Sequence, residues 1–207
     1  MIKILNLYAG IGGNRRLWSD KEIEVTAVEQ NENIAKIYQD FFPNDKMIVG
    51  DAHQYLLDYY KEYDFIWSSP PCPTHSNIRR CGVYKGQNKA VYPDMRLYEE
   101  IIFLSNFGRA LFCIENVFSY YEPLIKPQEI GRHYFWSNFF ITKFKFKSNI
   151  IISETMESLQ KNTGFDISKY KNIGRRDKIL RNCVDSKLGL HIFNCAFKNI
   201  QMDLLND

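Results

Sequence analysis

Cys72 stands directly after two prolines, at the end of the stretch Asp64-Phe-Ile-Trp-Ser-Ser-Pro-Pro-Cys72. Phe65, Ile66 and Trp67 form a short apolar run stopped by Pro70 and Pro71, the pattern of a buried strand that ends in a rigid turn. Each proline sets its own φ and biases the residue before it toward extended geometry, so the turn holds Cys72 at the strand's carboxyl end. In an α/β sheet that is the edge where ligands bind. Most lone cysteines are small buried hydrophobes. Cys72 reads instead as a nucleophile, because four further stretches converge on the same edge. Glu115 follows the apolar run Arg109–Ile114, as a carboxylate closing what reads as a fifth strand beside the fourth.

The other candidates suit a nucleotide-type ligand. Residues 1–8 read as a first buried strand, followed by Ala9-Gly10-Ile11-Gly12-Gly13 and an expected helix from Asn14 to Asp20. Strand, glycine turn and helix make a cradle in which the backbone approaches a ligand, although a plain tight turn would read the same way. Ile23–Val28 is a second strand ending at Glu29, where an acid is placed to accept ribose hydroxyls. Asn31–Phe42 is helical in period, with Ile34, Ile37, Tyr38 and Phe41 on one face. Lys46–Val49 is a third strand ended by Gly50, and Asp51 beyond it is both an N-cap for a helix at Ala52–Tyr60 and a side chain at the ligand edge.

Residues 73–93 lack apolar period and carry Arg79, Arg80, Lys85 and Lys89 with Tyr84 and Tyr92 between them, which reads as a structureless basic lid. Asp94–Phe107 is a capped helix with a Leu97, Ile101, Leu104 stripe. His133–Phe139 and Phe140–Phe146 read as a terminal hairpin. Apolar density falls from Ser148 to Arg176, and Leu188–Phe197 is an amphipathic helix with Leu188, Ile192, Cys195 and Ala196 inward.

Composition sets the bounds. At 207 residues with 45% hydrophobic and 25% charged content, the chain can bury one sizeable core. Five cysteines with no CxxC pair argue against a disulfide framework or a zinc site and suit a reducing cytosol. No apolar run approaches a membrane span, and the first residues lack a signal peptide's layout. A net charge of +3 permits a polyanionic partner without demanding one.

Taken together, these stretches resemble the cytosine-C5 DNA methyltransferases. Asn6-Leu-Tyr-Ala-Gly-Ile-Gly-Gly13 is similar to the family's first motif, which implies that Tyr8 flanks the adenine of S-adenosylmethionine and that Ala9, Gly10, Ile11, Gly12 and Gly13 approach that cofactor. Glu29, with Gln30, falls where the family's ribose-binding acid lies, and Gly50-Asp51, with Ala52, matches its adenine-contacting aspartate. Ser69-Pro-Pro-Cys72 resembles the nucleophile motif, with Pro70 on the cofactor side and Ser69, Pro71 and Ser76 on the substrate side. Glu115-Asn116-Val117 resembles the motif that engages the target base, and Asp94-Met-Arg96 the one that opens the next helix. Gln128-Glu-Ile-Gly-Arg132 is a reduced form of the Gln-x-Arg-x-Arg motif, so Gln128 is implied on the substrate and only Arg132 as a contact to the flipped base. Arg181-Asn182-Cys183-Val184 resembles the C-terminal Gly-Asn-Ala-Val motif, which implies Asn182 and Val184 at the cofactor; Arg181 replaces its first glycine.

The implied chemistry is coherent with the residue types. Carbon-5 of cytosine is a poor nucleophile until something adds to carbon-6, and a thiolate both adds and later leaves easily. A carboxylic acid bonded to ring N3 makes the ring more electrophilic. A base inside a duplex is out of reach, so the resemblance implies double-stranded DNA with its target cytosine flipped out, and the lid is the segment placed to close over it.

Three rival readings remain. Amino-methyltransferases of the same fold use an aromatic after Pro-Pro, where this chain has Cys72. A tRNA cytosine-C5 methyltransferase is compatible with the core motifs. A catalytically idle S-adenosylmethionine-binding or nucleic-acid-binding subunit would be expected to lack Cys72 or Glu115, and both are present.

The expected fold is α/β: a doubly wound, mostly parallel seven-stranded sheet of the S-adenosylmethionine-dependent methyltransferase type. Residues 1–147 are the expected catalytic domain and 178–207 a C-terminal helix packing back on it. Residues 148–177 stand in place of a target-recognition domain and are too poor in apolar residues to fold alone. That implies recognition of a very short site, or recognition borrowed from a second subunit. The expected setting is the cytoplasm of a prokaryotic or phage-infected cell, with no metal at the site.

Overall fold

The computed structural model describes residues 1–19, 22–144 and 155–203, with side chains described as far as residue 197. Seven strands form one sheet: β1 (Ile2–Leu7), β2 (Ile23–Glu29), β3 (Lys46–Val49), β4 (Phe65–Ser68), β5 (Leu111–Val117), β6 (Gln128–Ile130) and β7 (His133–Ser137). Their order is β3-β2-β1-β4-β5-β7-β6. The first five are mutually parallel, and β7 runs antiparallel to both β5 and β6. The expected doubly wound, mostly parallel seven-stranded sheet is therefore the observed one.

Alternation along the central strands explains the two layers. Ile4, Val25, Phe65, Trp67, Cys113 and Phe135 face one side, where Leu188, Ile192, Cys195 and Ala196 of a C-terminal helix cover them. Leu5, Leu7, Val28, Ile66, Phe112 and Ile114 face the other side. There α2 (Ala52–Tyr59) contributes Ala52 and Leu56, and α4 (Arg96–Phe107) contributes Leu97, Ile101 and Leu104. α1 (Glu32–Phe41) lies between β2 and β3, and α3 (Asn77–Tyr84) precedes α4 between β4 and β5. α1 is capped by Asn31, whose side chain accepts from the Asn33 and Ile34 N–H groups, and Asp51 caps α2 in the same way. The C-terminal part holds α5 (Met156–Thr163), α6 (Arg176–Arg181) and α7 (Ser186–Asp203).

Four expectations need correction. Residues 14–18 form turns rather than a helix, and Asp20 lies outside the described residues. Their side chains have other work: Asn14 donates to Asn6 Oδ1 at 2.9 Å, and buried Arg15 grips Asp45 through Nε and Nη2 at 3.0 Å each. Residues 73–93 are not structureless. They contain α3, capped by the Ser76 hydroxyl, and α3 shows no apolar period because Gly82 is its sole buried residue. The antiparallel hairpin is β6–β7, not 133–139 with 140–146. Its two-residue turn is Gly131-Arg132, with Gly131 at φ +63, the backbone that tight hairpins ask of their first turn residue. Phe140 to Phe144 is irregular, and 145–146 lie outside the described residues. Finally, Glu115 lies within β5, which continues through Asn116 to Val117 because β7 pairs that far.

Candidate active site

Because β1 to β5 are parallel, the segments that follow them share one sheet edge. The order reverses between β1 and β4, so the crevice outside those two strands is the topological switch point where open α/β sheets take ligands. A cavity of about 200 Å³ lies there. Its walls come from the turn after β1 (Tyr8, Gly10, Ile11), from Glu29, from Ser69 and from Asn182, Cys183 and Val184. Tyr8, Ala9, Gly10, Ile11, Gly13, Glu29, Asn182 and Val184, which sequence reasoning grouped from three distant stretches, thus meet at one hollow, whereas Gly12 packs against Phe42 and Tyr38 instead. Gln30, Asp51, Ala52 and Pro70 are not among its walls.

The turn is held tightly. Tyr8 sits at φ +53, Gly10 at +55 and Gly12 at +85. Glu29 ties the turn down by accepting from the Gly10 N–H at 3.0 Å and the Asn31 N–H at 2.9 Å. Gly13, at the cavity wall, also serves a packing purpose that the sequence did not suggest. A Cβ there would lie 2.7 Å from Val184 O and 2.8 Å from Cys183 Cβ, so the glycine admits the 183–184 segment. Asp51 accepts from His53 N at 2.9 Å and lies 3.6 Å from Arg96 Nη1, which joins two stretches that sequence reasoning treated separately.

A buried acid that sequence reasoning missed underlies this wall. Glu100 is 1% exposed, and its Oε1 accepts from the Tyr8 hydroxyl at 2.6 Å and lies 3.0 Å from His53 Nδ1. Its Oε2 accepts from the Ser68 hydroxyl at 2.6 Å. Burial, and then Glu100, push the Tyr8 phenol well above its ordinary value, so Tyr8 stays a neutral donor. The signal was available: Glu100 falls in the stripe Leu97, Ile101, Leu104, where only an apolar or a partnered residue fits.

Beside the cavity, the Pro-Pro-Cys turn lies against β5. Asn116 is buried and donates from Nδ2 to the Pro70 carbonyl at 3.0 Å, so its amide is spent on holding the turn. The Cys72 carbonyl accepts from the His75 and Ser76 N–H groups at 3.0 and 3.1 Å, and Pro71 is exposed. The Cys72 thiol is raised above its ordinary value by burial first and then by the nearby Glu115 charge, while Lys178 of α6 pulls it down. Lys178 is a second residue that sequence reasoning missed, brought there by the fold of 155–184.

Glu115 and Cys72 do share this edge, and a third group joins them. His133 Nδ1 lies 3.1 Å from Glu115 Oε1, both side chains being about nine-tenths buried. Arg132 is exposed at the hairpin turn next door. Gln128 is turned away from the edge: its amide donates to Ser137 Oγ and the Phe139 carbonyl and accepts from Ile141 N. The segment after Cys72 is also anchored, with His75 Nδ1 2.6 Å from the Tyr121 hydroxyl and Arg80 donating to the Tyr120 carbonyl at 3.1 Å. Among the described residues, no cluster of three or more His, Cys, Asp or Glu is placed to hold a metal, and no helix is long and apolar enough to cross a membrane.

Comparison with known proteins gives the following. The family model for C-5 cytosine-specific DNA methylase matches residues 2–121. No curated protein matches the chain. Among solved structures, a DNMT2 mutant of Spodoptera frugiperda is 27% identical at a TM-score of 0.39, over 56% of this chain and 36% of that one. The Entamoeba histolytica methyltransferase EhMeth is 19% identical at 0.36, over 56% and 38%. A putative DNA modification methyltransferase from an Escherichia coli prophage is 19% identical at 0.39, over 59% and 34%. The match thus spans little more than a third of each of those chains.

Proposed function

Since the chain belongs to the C-5 cytosine-specific DNA methylase family, we propose that it methylates carbon-5 of a cytosine flipped out of double-stranded DNA, with Cys72 as the nucleophile at carbon-6 and Glu115 as the acid at N3. The family is one of methyltransferases, and its fold implies use of S-adenosylmethionine. The observation that carries the finer reading is the juxtaposition of Cys72 and Glu115 on one edge, beside the switch-point cavity.

The residues at that cavity fit the cofactor. Glu29 retains lone pairs toward the hollow for ribose hydroxyls, Tyr8 offers a ring held by Glu100, and nothing lies within 4 Å of where a side chain on Gly10 would stand. Asp51, joined to Arg96, would take the adenine end. When bound, S-adenosylmethionine supplies an electrophilic methyl group. The chain's own residues do the rest. Asn116 keeps the Pro70 carbonyl, and with it Cys72, in register with β5. Burial and the Glu115 charge keep the resting thiol protonated, so the thiolate forms once the base is in place, by passing the thiol proton to Glu115, which then carries no charge against it. Glu115 hydrogen-bonds N3 as Cys72 adds to carbon-6, and loss of the carbon-5 proton then expels the sulfur.

The test is transfer of labelled methyl to duplex DNA, single strands and tRNA by wild type and Cys72→Ala. The expected result is transfer to duplex DNA that Cys72→Ala abolishes while S-adenosylmethionine binding stays near wild type. Full activity in Cys72→Ala would remove the covalent mechanism. Transfer to tRNA alone would reassign the substrate, and binding without transfer to any of the three would make the chain an idle binding subunit.

A further inference from the structure

The proposed reaction asks one group for more than it can do alone. Glu115 must present a proton to N3 and then exist as a carboxylate beside the sulfur of Cys72. The family pattern assigns arginines to this neighbourhood, but Ile130 replaces one, and the group against Glu115 is His133.

The placement follows from register. Glu115 stands opposite Phe135 and Val117 opposite His133 in the antiparallel β5–β7 pair, so Glu115 and His133 are diagonal neighbours on one face. His133 Nδ1 reaches 3.1 Å from Oε1, yet off the direction of a hydrogen bond, and the ring nitrogen has no other partner among the described residues. Glu115 Oε2 has no hydrogen-bond partner among them either. The charged groups that bear on His133 are Glu115 on β5, Arg132 on the hairpin turn and Asp185 ahead of α7, with Cys72 beyond Glu115. Burial outweighs Glu115 and keeps the imidazole below its ordinary value, so it is neutral at neutral pH.

On the strength of the function proposed above, we propose that His133 is the positioning residue of the acid Glu115: its Nδ1–H turns Oε1 so that the Oε2 hydroxyl faces N3 of the flipped base, and it hydrogen-bonds the carboxylate left behind. The protons balance. The Cys72 thiol proton passes first to Oε2 of the resting Glu115 carboxylate; as the sulfur bonds to carbon-6 that proton moves to N3, and the carboxylate formed again draws Nδ1–H into line. When the carbon-5 proton is lost to water the sulfur leaves, and the N3 proton returns by way of Glu115 to the Cys72 thiolate, restoring the resting thiol, carboxylate and contact. His133 keeps its own proton throughout and touches no substrate atom.

Two measurements decide this. In the first, imidazole titration of His133 is followed by NMR in wild type and Glu115→Gln, without substrate. The midpoint is expected to fall by roughly one unit in Glu115→Gln, because the carboxylate favouring the charged ring is gone; an unchanged midpoint overturns the pairing. In the second, methyl transfer is compared in His133→Asn, whose amide N–H falls near the position of Nδ1, in His133→Gln, whose N–H falls near Nε2, and in His133→Leu. The Gln and Leu variants are expected to lose ~10-fold or more in kcat at unchanged KM for S-adenosylmethionine, with Asn restoring most of it. In a Glu115→Gln background all three should be alike. Equal rates for Asn and Gln, or the same losses in the Glu115→Gln background, overturn the proposal, and the Asn–Gln comparison stands even if the Leu variant does not fold. If wild type methylates no nucleic acid, the functional reading fails by itself, and the titration still decides the pairing.

Discussion

Gly13→Ala puts the cavity's architecture to a quantitative test. The new methyl carbon would lie 2.7 Å from Val184 O, 2.8 Å from Cys183 Cβ and 3.0 Å from Val184 N. Non-bonded carbons prefer about 3.5–4.0 Å, so backbone must give way by roughly 0.7 Å. Two of the three contacts are main-chain atoms of the segment that walls the cavity, and cannot rotate aside. Overpacking of this kind costs about 1–3 kcal/mol. If the protein keeps its wall in place, that amount is lost from global stability and appears in urea unfolding. If the 183–184 segment moves out instead, S-adenosylmethionine affinity falls by about 5- to 150-fold, at ~1.4 kcal/mol per decade. Calorimetry and urea titration together capture both outlets. Gly50→Ala is the control, because its nearest neighbour is Ile48 Cγ2 at 4.0 Å and its backbone needs no positive φ. Gly13→Ala matching Gly50→Ala in both measurements would refute the reasoning.

Asp45→Asn should destabilise the fold by about 3–5 kcal/mol, since it removes the carboxylate charge that balances buried Arg15 and that accepts the Tyr38 hydroxyl at 2.7 Å; urea unfolding with a loss under 1 kcal/mol would contradict it. Stability should fall as pH drops below about 6.5, the ordinary histidine value. His75 and His133 are both lowered by burial, so the unfolded chain binds their protons first, whereas the single His53, raised by its bond to Glu100, adds an opposing contribution that is present below 6.5 and lost as pH rises through its folded value. Urea midpoints equal at pH 7.5 and 5.5 would refute that assignment. Bisulfite sequencing of DNA methylated by the purified chain should return a site shorter than four base pairs; a strict longer site obtained without a partner would show that the chain carries its own full readout.

Where an element hides an apolar face, its sequence announces it. β3 was legible to the residue, α1, α2 and α4 to within two residues at their ends, and α7 at its start though six residues short at its end, because Ile37 and Tyr38, Leu56, Leu97 and Ile101, or Leu188 and Ile192 repeat at helical spacing into the core. α3 was not legible, since it is held by the Ser76 cap and by side chains reaching 119–120 rather than by burial. β6 is three residues long, and its partner strand is followed by aromatic residues that mimic a continuing alternation. The turn at 14–18 depends on Arg15 meeting Asp45, a partner thirty residues away that no local pattern encodes. The site divides in the same way. Tyr8, Glu29 and Cys72 announce themselves by position at strand ends, whereas His133 becomes meaningful only once β7 is paired antiparallel to β5.

The interval between the Gln128–Arg132 stretch and Asn182 bears on how a base sequence would be read. Three of its apolar residues are committed: Leu159, Phe165 and Ile167 are fully buried, packed with Ile11, Ile37, Leu180 and Cys183 against α1 and the glycine turn. Part of its basic charge is committed too. Lys169 lies 3.2 Å from Asp40, Arg175 is paired with Asp177, and Arg176 donates to the Tyr170 carbonyl. Exposed pairs of this kind contribute little to stability, but they orient cations toward the protein's own acids. Base-edge contacts need side chains free to enter a groove, and phosphate contacts alone carry no sequence information. Ile78, Tyr84 and Tyr92 stand out at 79%, 81% and 94% exposure on α3 and the strand-free chain after it, interleaved with Arg80, Lys85 and Lys89. Those residues follow directly from the Cys72 turn, so on the function proposed above any short sequence the chain distinguishes would be read by the segment next to the nucleophile.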